Sequence, residues 1–364
     1  VDLKENSYDI LIEDGILNRV GEYIDLNRKV MIITDSGVPR EYGDILLNQC
    51  PMGEIIVVEQ GEQSKSFVTY ERICRKLLES NFHRKDLIIA LGGGVIGDLA
   101  GFCASTYMRG IDFINIPTTT LSQIDSSIGG KTAINLGDTK NIIGAFYQPK
   151  KVFIDFKTLE TLSERDFNNG MIEALKAGLI YDREIFELFE SGEIKERYKE
   201  IIIKSILVKK DVVEKDVKEQ SLRKILNFGH TIGHGIEGYF NFNKLLHGEA
   251  VALGMLPMIE NNNLRERTKK IIEKLNIRTG SCTGVGGYSE ANENTAQFEV
   301  EQGIGGSSEN NRRADIKYDS EKVFKLMVKD KKADTSKITL VKVKELGSAY
   351  LSDETFEQCR KYLD

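Results

Sequence analysis

Long apolar runs are missing from this sequence: no stretch approaches the length of a membrane span, so a bilayer is not expected as its solvent. Also missing is any Lys/Arg-dense stripe with interleaved aromatics. Fifty basic against 56 acidic side chains leave a net charge of -6, which argues against a nucleic-acid partner. Anionic small molecules stay open, because a few local cations suffice for them. The five cysteines, Cys50, Cys74, Cys103, Cys282 and Cys359, are odd in number, widely spread and in no metal-binding spacing, as in a reducing compartment. The first residues, Val1-Asp2-Leu3-Lys4-Glu5, lack a charged-then-apolar export pattern, so a cytoplasmic protein is expected.

Histidine is scarcest of the residues that can carry chemistry. Of four in the chain, His230, His234 and His247 lie in one segment, Asn227-Phe228-Gly229-His230-Thr231-Ile232-Gly233-His234 followed by Leu246-His247-Gly248-Glu249-Ala250. Imidazole ligates metals and moves protons near neutral pH, so this clustering points to a site. On a continuous helix His230 and His234 share a face, and Arg223 and Asn227 continue the stripe. Thr231 stands where a His-Glu-x-x-His metalloprotease carries its glutamate, which argues against peptide hydrolysis.

The first half alternates β-branched runs with helical patterns. Strands are expected at Tyr8 to Ile12, Val30 to Asp35, Ile55 to Val58, Asp86 to Leu91 and Ile114 to Pro117. A helix from about Ser66 to Ser80 has apolar positions at Phe67, Ile73, Leu77 and Leu78. Such alternation implies a mostly parallel sheet covered on both faces. The fourth strand runs into Gly92-Gly93-Gly94-Val95-Ile96-Gly97-Asp98, where glycines let a ligand approach and a helix start would aim amides at a phosphate. A plain strand-to-helix turn would give the same letters. The site is not the usual Gly-x-Gly-x-x-Gly at a first strand, so a doubly wound relative that binds dinucleotide at a later strand is the better inference. Asp125-Ser126-Ser127-Ile128-Gly129-Gly130-Lys131-Thr132 has half of a triphosphate-loop pattern but the wrong spacing, and reads as a small-residue loop presenting Lys131 to an anion. Arg109, Lys131 and Lys140 all fall near strand ends. From about Asp155 helical periodicity takes over, with no convincing strand until Ile338 to Val341. Within it Glu173 and Lys176 lie among small apolar neighbours, which favours burial over a surface ion pair.

Taken in order, the glycine turn, Met108-Arg109-Gly110, Pro117-Thr118-Thr119, Gln123 to Lys131, Lys140 to Pro149 and the two histidine motifs resemble the 3-dehydroquinate synthase family. The resemblance runs from about residue 8 to 278 and resumes at Asp315. It implies an N-terminal doubly wound, Rossmann-like α/β NAD-binding domain over 1–154. A mostly α-helical C-terminal domain, binding metal and substrate, takes 155–364. Glu173, His230 and His247 would hold Zn or Co, which makes His234 a catalytic group rather than the partner of His230. The implied catalytic residues are His234, Lys131, Arg109, Asn227, Lys209 and Asp125, with substrate contacts from Lys140, Asn141, Lys176, Arg223 and Lys331. Cofactor contacts would fall to Asp35, Glu62, Lys65, Gly94, Val95, Ile96, Gly97, Asp98, Thr118, Thr119, Lys131, Lys140 and the segment Thr158, Leu159, Glu160, Thr161. The implied reaction turns a seven-carbon sugar acid phosphate into a carbocycle, releasing phosphate and using NAD without consuming it. A homodimer is implied as well. Other sugar phosphate cyclases, and metal- and NAD-dependent polyol dehydrogenases of the glycerol dehydrogenase type, share the plan. Polyol dehydrogenases would not need this density of cations. Residues 279–313, rich in Gly, Ser, Asn and Glu, break the resemblance and read as an insertion the fold should tolerate.

Overall fold

Alternate residues of the β-branched runs are buried on opposite faces, which is what a sheet covered on both sides requires. The computed structural model describes residues 1–363 apart from 138, 241–244, 280–315, 317 and 331–336. Lys331 and all but the first residue of the 279–313 stretch therefore lie outside the described residues. In chain order the first half contains β1 (Asp9–Ile12), β2 (Lys29–Asp35), α1 (Arg40–Leu47), β3 (Met52–Val58), α2 (Phe67–Glu79), β4 (Leu87–Gly92), α3 (Gly94–Thr106), β5 (Asp112–Pro117), β6 (Lys131–Leu136), β7 (Thr139–Phe146) and β8 (Lys151–Ile154).

Six of these strands form one sheet in the order β1-β8-β5-β4-β2-β3, every pair parallel. Met31, Ile33, Ile88 and Ala90 pack on one face against α2 and α3, whereas Val30, Ile32, Leu87 and Ile89 pack on the other. From β2 the chain first adds β3 on one side and then returns to add β4 on the other. The winding thus reverses between β2 and β4, and the crevice at their carboxyl ends is flanked by Asp35 and Gly92.

Three local readings are corrected. The segment read as a loop presenting Lys131 begins as a short helical turn, Ser122–Ser126; 127–130 do form a loop, and it leads into an antiparallel ribbon in which β6, opening on Lys131, pairs with β7. Strand β8 is not among the strands expected from the sequence. On α2, Ile73 and Leu77 are buried as expected, but Phe67 and Leu78 are 46% and 69% exposed.

The second half packs α4 (Glu164–Ile180), α5 (Arg183–Ser191), α6 (Ile194–Lys215), α7 (His230–Tyr239), α8 (His247–Met255), α9 (Asn262–Lys274) and α10 (Ser320–Asp330) around a core of their own. It ends in the hairpin β9 (Lys337–Glu345) with β10 (Ser348–Thr355), then α11 (Phe356–Arg360). Val152 and Ile154 of β8 join that core, so the sheet edge and the helices share one apolar cluster. Among the described residues no helix is long and apolar enough to cross a membrane.

Candidate active site

The polar stripe expected on one helix is broken. Gly229 has φ +79, a left-handed conformation that ends the turn Leu222–Asn227 and starts α7 at His230. Arg223 is consequently not in phase with His230. It is 1% exposed, and its guanidinium donates to the carbonyls of Gly129 and Val217.

What α7 does bring is His230, and α8 and α4 bring its partners. These helices approach closely because small residues face each other: a Cβ on Gly254 would lie 2.1 Å from the Gly229 carbonyl oxygen. The amide of Gly248 donates to Asn169 Oδ1 at 2.6 Å, which seats the first turn of α8 on α4 one turn before Glu173. The ligand atoms of Glu173, His230 and His247 converge to within 4.8 Å of one another. His230 Nε2 is 3.7 Å and His247 Nε2 3.5 Å from Glu173 Oε1. Both Glu173 oxygens are buried without a hydrogen-bond partner, although Lys176 Nζ forms an ion pair with Oε2. Burial favours the neutral acid, yet Lys176 and His230 hold Glu173 well below the usual carboxylate range. Burial and then Lys176 keep His230 neutral, and its Nδ1 lies 3.1 Å from the Phe228 carbonyl oxygen, which assigns the proton to Nδ1 and the lone pair to Nε2. Burial opposes charge on His247 too, but Glu173 and Glu237 lift it to about 10, so a cation entering here displaces a proton. Two imidazoles and a buried carboxylate whose Oε1 has no hydrogen-bond partner are a donor set that fits Zn2+ or Co2+. A second group, His234, Glu237 and His247, has similar spacing. There, however, the Glu237 oxygens are already engaged by Lys140 at 3.2 Å and His247 Nδ1 at 3.3 Å.

Beside this group opens a cavity of about 540 Å³ lined by Asp98, Asp125, Lys131, Asn141, Lys209, Arg223, Asn227, His230 and His234, among others. Each of its cations meets an internal carboxylate or carbonyl. Lys131 pairs with Glu219, and Lys209 with Asp125. Asp125 is pulled well below its ordinary range by Lys209 and Lys176 against the cost of burial. A smaller recess lined by Asp125, Glu173, Lys176 and Lys209 joins the metal group to the cation group. Apolar walls come from Ile128, Phe146 and Leu226.

Most residues implied for the cofactor gather at the carboxyl edge of the sheet, whereas Lys131 and Lys140 stand on the separate β6–β7 ribbon. Asp35 ends β2, Gly94 to Asp98 open α3, and Thr118 and Thr119 follow β5. Lys65 is buried with Nζ 2.7 Å from Asp98 and in contact with Asn141 Oδ1, and Glu62 lies 3.7 Å away. Thr158 is fixed by Asp155 and Gln123, Thr161 contacts Tyr42 at 3.0 Å, Leu159 is buried, and Glu160 is exposed. Asp98 belongs to both regions, since it also lines the cavity. Arg109 is not brought there: it precedes β5, at the end opposite Thr118, and is exposed. Two carboxylates are missing from the sequence reading: Glu219, which lines the cavity, and Glu237, which meets His247 and Lys140. Glu219, which also accepts from Asn227 Nδ2, sits in a loop at φ 57 with no periodicity to flag it. Glu237 had a signal, because it lies on the face of α7 that carries His230 and His234.

Among solved structures, this architecture is shared by 2-epi-5-epi-valiolone synthase from Streptomyces hygroscopicus subsp. jinggangensis 5008 with NAD+ and Zn2+ bound. Its TM-score is 0.81 at 21% identity, over 100% of this chain and 97% of that one. It is shared too by 2-deoxy-scyllo-inosose synthase complexed with carbaglucose-6-phosphate, NAD+ and Co2+, with a TM-score of 0.78 at 24% identity over 97% and 95%. A probable glycerol dehydrogenase from Sinorhizobium meliloti 1021 follows it less completely, at 0.53 and 14% over 75% and 82%. The class is therefore a two-part protein with a Rossmann-like parallel sheet and a helical half, of the fold these synthases have. Sequence narrows it further: the descriptions 3-dehydroquinate synthase N-terminal and 3-dehydroquinate synthase C-terminal match residues 55–169 and 170–279. The 3-dehydroquinate synthase of Clostridium botulinum (strain Alaska E43 / Type E3) is 40% identical over 368 residues, 98% of each chain. The chain belongs to the 3-dehydroquinate synthase family.

Proposed function

We propose that the chain converts 3-deoxy-D-arabino-heptulosonate 7-phosphate into 3-dehydroquinate and phosphate, using NAD and a divalent metal, Zn or Co. The observation that carries this is a three-residue metal group, Glu173, His230 and His247, whose His230 lines the same cavity as Lys131, Lys209 and Arg223. A polyol needs the first but not the second. Residues 1–154 are the cofactor half in this reading and 155–364 the metal and substrate half.

When bound, NAD supplies a hydride acceptor and donor, and the metal supplies a Lewis acid for the substrate oxygen. The chain's own side chains do the rest. Lys131 and Lys209 exchange Glu219 and Asp125 for the substrate's phosphate and carboxylate, contacts worth about 1.5–3 kcal/mol each. Arg223 holds its place through Gly129 and Val217, with a buried, unpartnered Nε left for an anion. His234 lines the cavity with its ring centroid 5.5 Å from that of His230 and 5.9 Å from that of His247, placed to hold a proton beside the ligands without being one. Ile128, Phe146 and Leu226 limit water around the reacting atoms.

Phosphate release from the heptulosonate phosphate, with and without NAD, tests the reading. Release should require NAD and proceed at substoichiometric cofactor. Turnover only of sugar phosphates lacking the carboxylate would make the chain a different cyclase.

A pH dependence follows from Lys209. Burial, reinforced by Arg223 and Lys176 and opposed by Asp125, lowers it to about 8. The cation is present below that value and lost above it, so kcat/KM, which reports the free enzyme, should fall as pH climbs through about 8. Lys209→Arg should remove that alkaline limb, and a limb unchanged in the variant assigns it elsewhere.

A cytoplasmic homodimer completes the proposal. Val68 and Phe67 on α2 and Val57 on the edge strand β3 are exposed, and Arg72 of α2 donates to the Val57 carbonyl, so α2 and β3 offer neighbouring apolar side chains to a second copy. Sedimentation should give twice the chain mass.

A further inference from the structure

We infer that Glu237 is the positioning carboxylate that orients His247 toward the metal and couples this ligand to Lys140, a cation of the β6–β7 ribbon to which the family resemblance gives a substrate contact. The inference rests on the metal role proposed above and on the substrate contact that the resemblance implies for Lys140. Glu237 is 4% exposed, and a carboxylate so buried costs several kcal/mol unless both its oxygens are engaged. They are: Oε2 lies 3.3 Å from His247 Nδ1, and Oε1 accepts from Lys140 Nζ at 3.2 Å. A proton held between Nδ1 and Glu237 leaves the Nε2 lone pair facing Glu173, which a ligating tautomer requires. The opposite ring nitrogen of His230 is tied to a neutral carbonyl, so of the two imidazoles only His247 has a charged partner behind it.

Lys140 comes from the β6–β7 ribbon and Glu237 from α7, so the pair also bridges the two halves of the chain. Its charge is shared. While Lys140 rests on Glu237 it neutralises the carboxylate and weakens the pull on His247. An anion that draws Lys140 away restores that charge, makes His247 the stronger ligand and tightens the metal. Linkage is reciprocal, so bound metal tightens the anion by the same factor.

Zn2+ affinity measured by chelator competition, with and without inorganic phosphate, tests this on the full chain without any turnover. Glu237→Gln, of equal size but uncharged, should weaken Zn2+ about 10–100-fold while the metal-free melting temperature stays within a few degrees. Glu237→Asp, which keeps the charge, should recover part of the loss, a rescue that a packing role would not give. Phosphate should tighten Zn2+ in the parent chain and have no such effect in Lys140→Met. A parent chain that binds no Zn2+ overturns both this inference and the metal reading beneath it. A parent chain that binds Zn2+ no more tightly than Glu237→Gln overturns this inference alone. Equal tightening by phosphate in Lys140→Met overturns the coupling.

Discussion

His247→Ala should emerge from purification without metal and without measurable turnover, while His234→Ala should carry a full equivalent of metal and turn over slowly. The two histidines lie side by side, with ring centroids 5.9 Å apart, yet their surroundings differ. His247 Nε2 looks onto the unsatisfied Glu173 carboxylate, so its loss leaves two ligands, Glu173 and His230, which do not hold a divalent ion against solvent. A Lewis acid contributes several kcal/mol to the barrier, and each 1.36 kcal/mol is tenfold, so about a thousandfold loss or more is expected. His234 stands outside the Glu173 group, and the proton-handling role proposed for it is worth about 10²–10⁴ in rate. Metal content by mass spectrometry, read beside kcat, separates the two. Equal metal loss in both variants would restore the His230–His234 pairing that helical spacing alone suggests.

The contrast shows what was legible in the sequence and what was not. Strands β2, β4 and β5 could be read because they are buried on both faces, and burial forces runs of β-branched residues. The glycine turn after β4 could be read because close approach at a strand end leaves few other choices of residue. The β6–β7 ribbon could not, since half of β7 is exposed and its Lys140, Asn141 and Gly144 dilute the alternation. The histidine cluster announced a site, but spacing along one helix joins His230 to His234. The ligand set depends on α4 and α8 meeting α7, a tertiary fact that local period cannot carry. Only the resemblance to a family grouped Glu173 and His247 with His230, and the structure brings these three together. Arg109 illustrates the converse: its motif is plain, yet within one chain it sits at the entry end of β5, away from the cavity.

Gly248→Ala should unseat the metal group without touching any ligand. Gly248 is the second residue of α8, and in a helix alanine is normally favoured over glycine by up to about 1 kcal/mol. At this position the opposite sign is expected. A Cβ here would lie 2.0 Å from the backbone oxygen of Asn169, a contact that no rotamer change relieves because the obstacle is main chain of α4. The helices must separate, at a cost of about 1–3 kcal/mol for overpacking, and the 2.6 Å hydrogen bond from the Gly248 amide to Asn169 Oδ1 lengthens with them. His247 precedes Gly248 on α8, and Glu173 lies one turn beyond Asn169 on α4, so the same displacement widens the 3.5 Å gap between His247 Nε2 and Glu173 Oε1. Metal affinity should therefore fall together with the melting temperature of the metal-free chain. Gly238→Ala is the control, because a Cβ on Gly238 meets its nearest neighbour, the Leu326 side chain, at 3.4 Å, and metal affinity should be retained there. A Gly248→Ala chain that melts higher than the parent and binds Zn2+ as tightly would show that α4 and α8 do not set the spacing of the ligands.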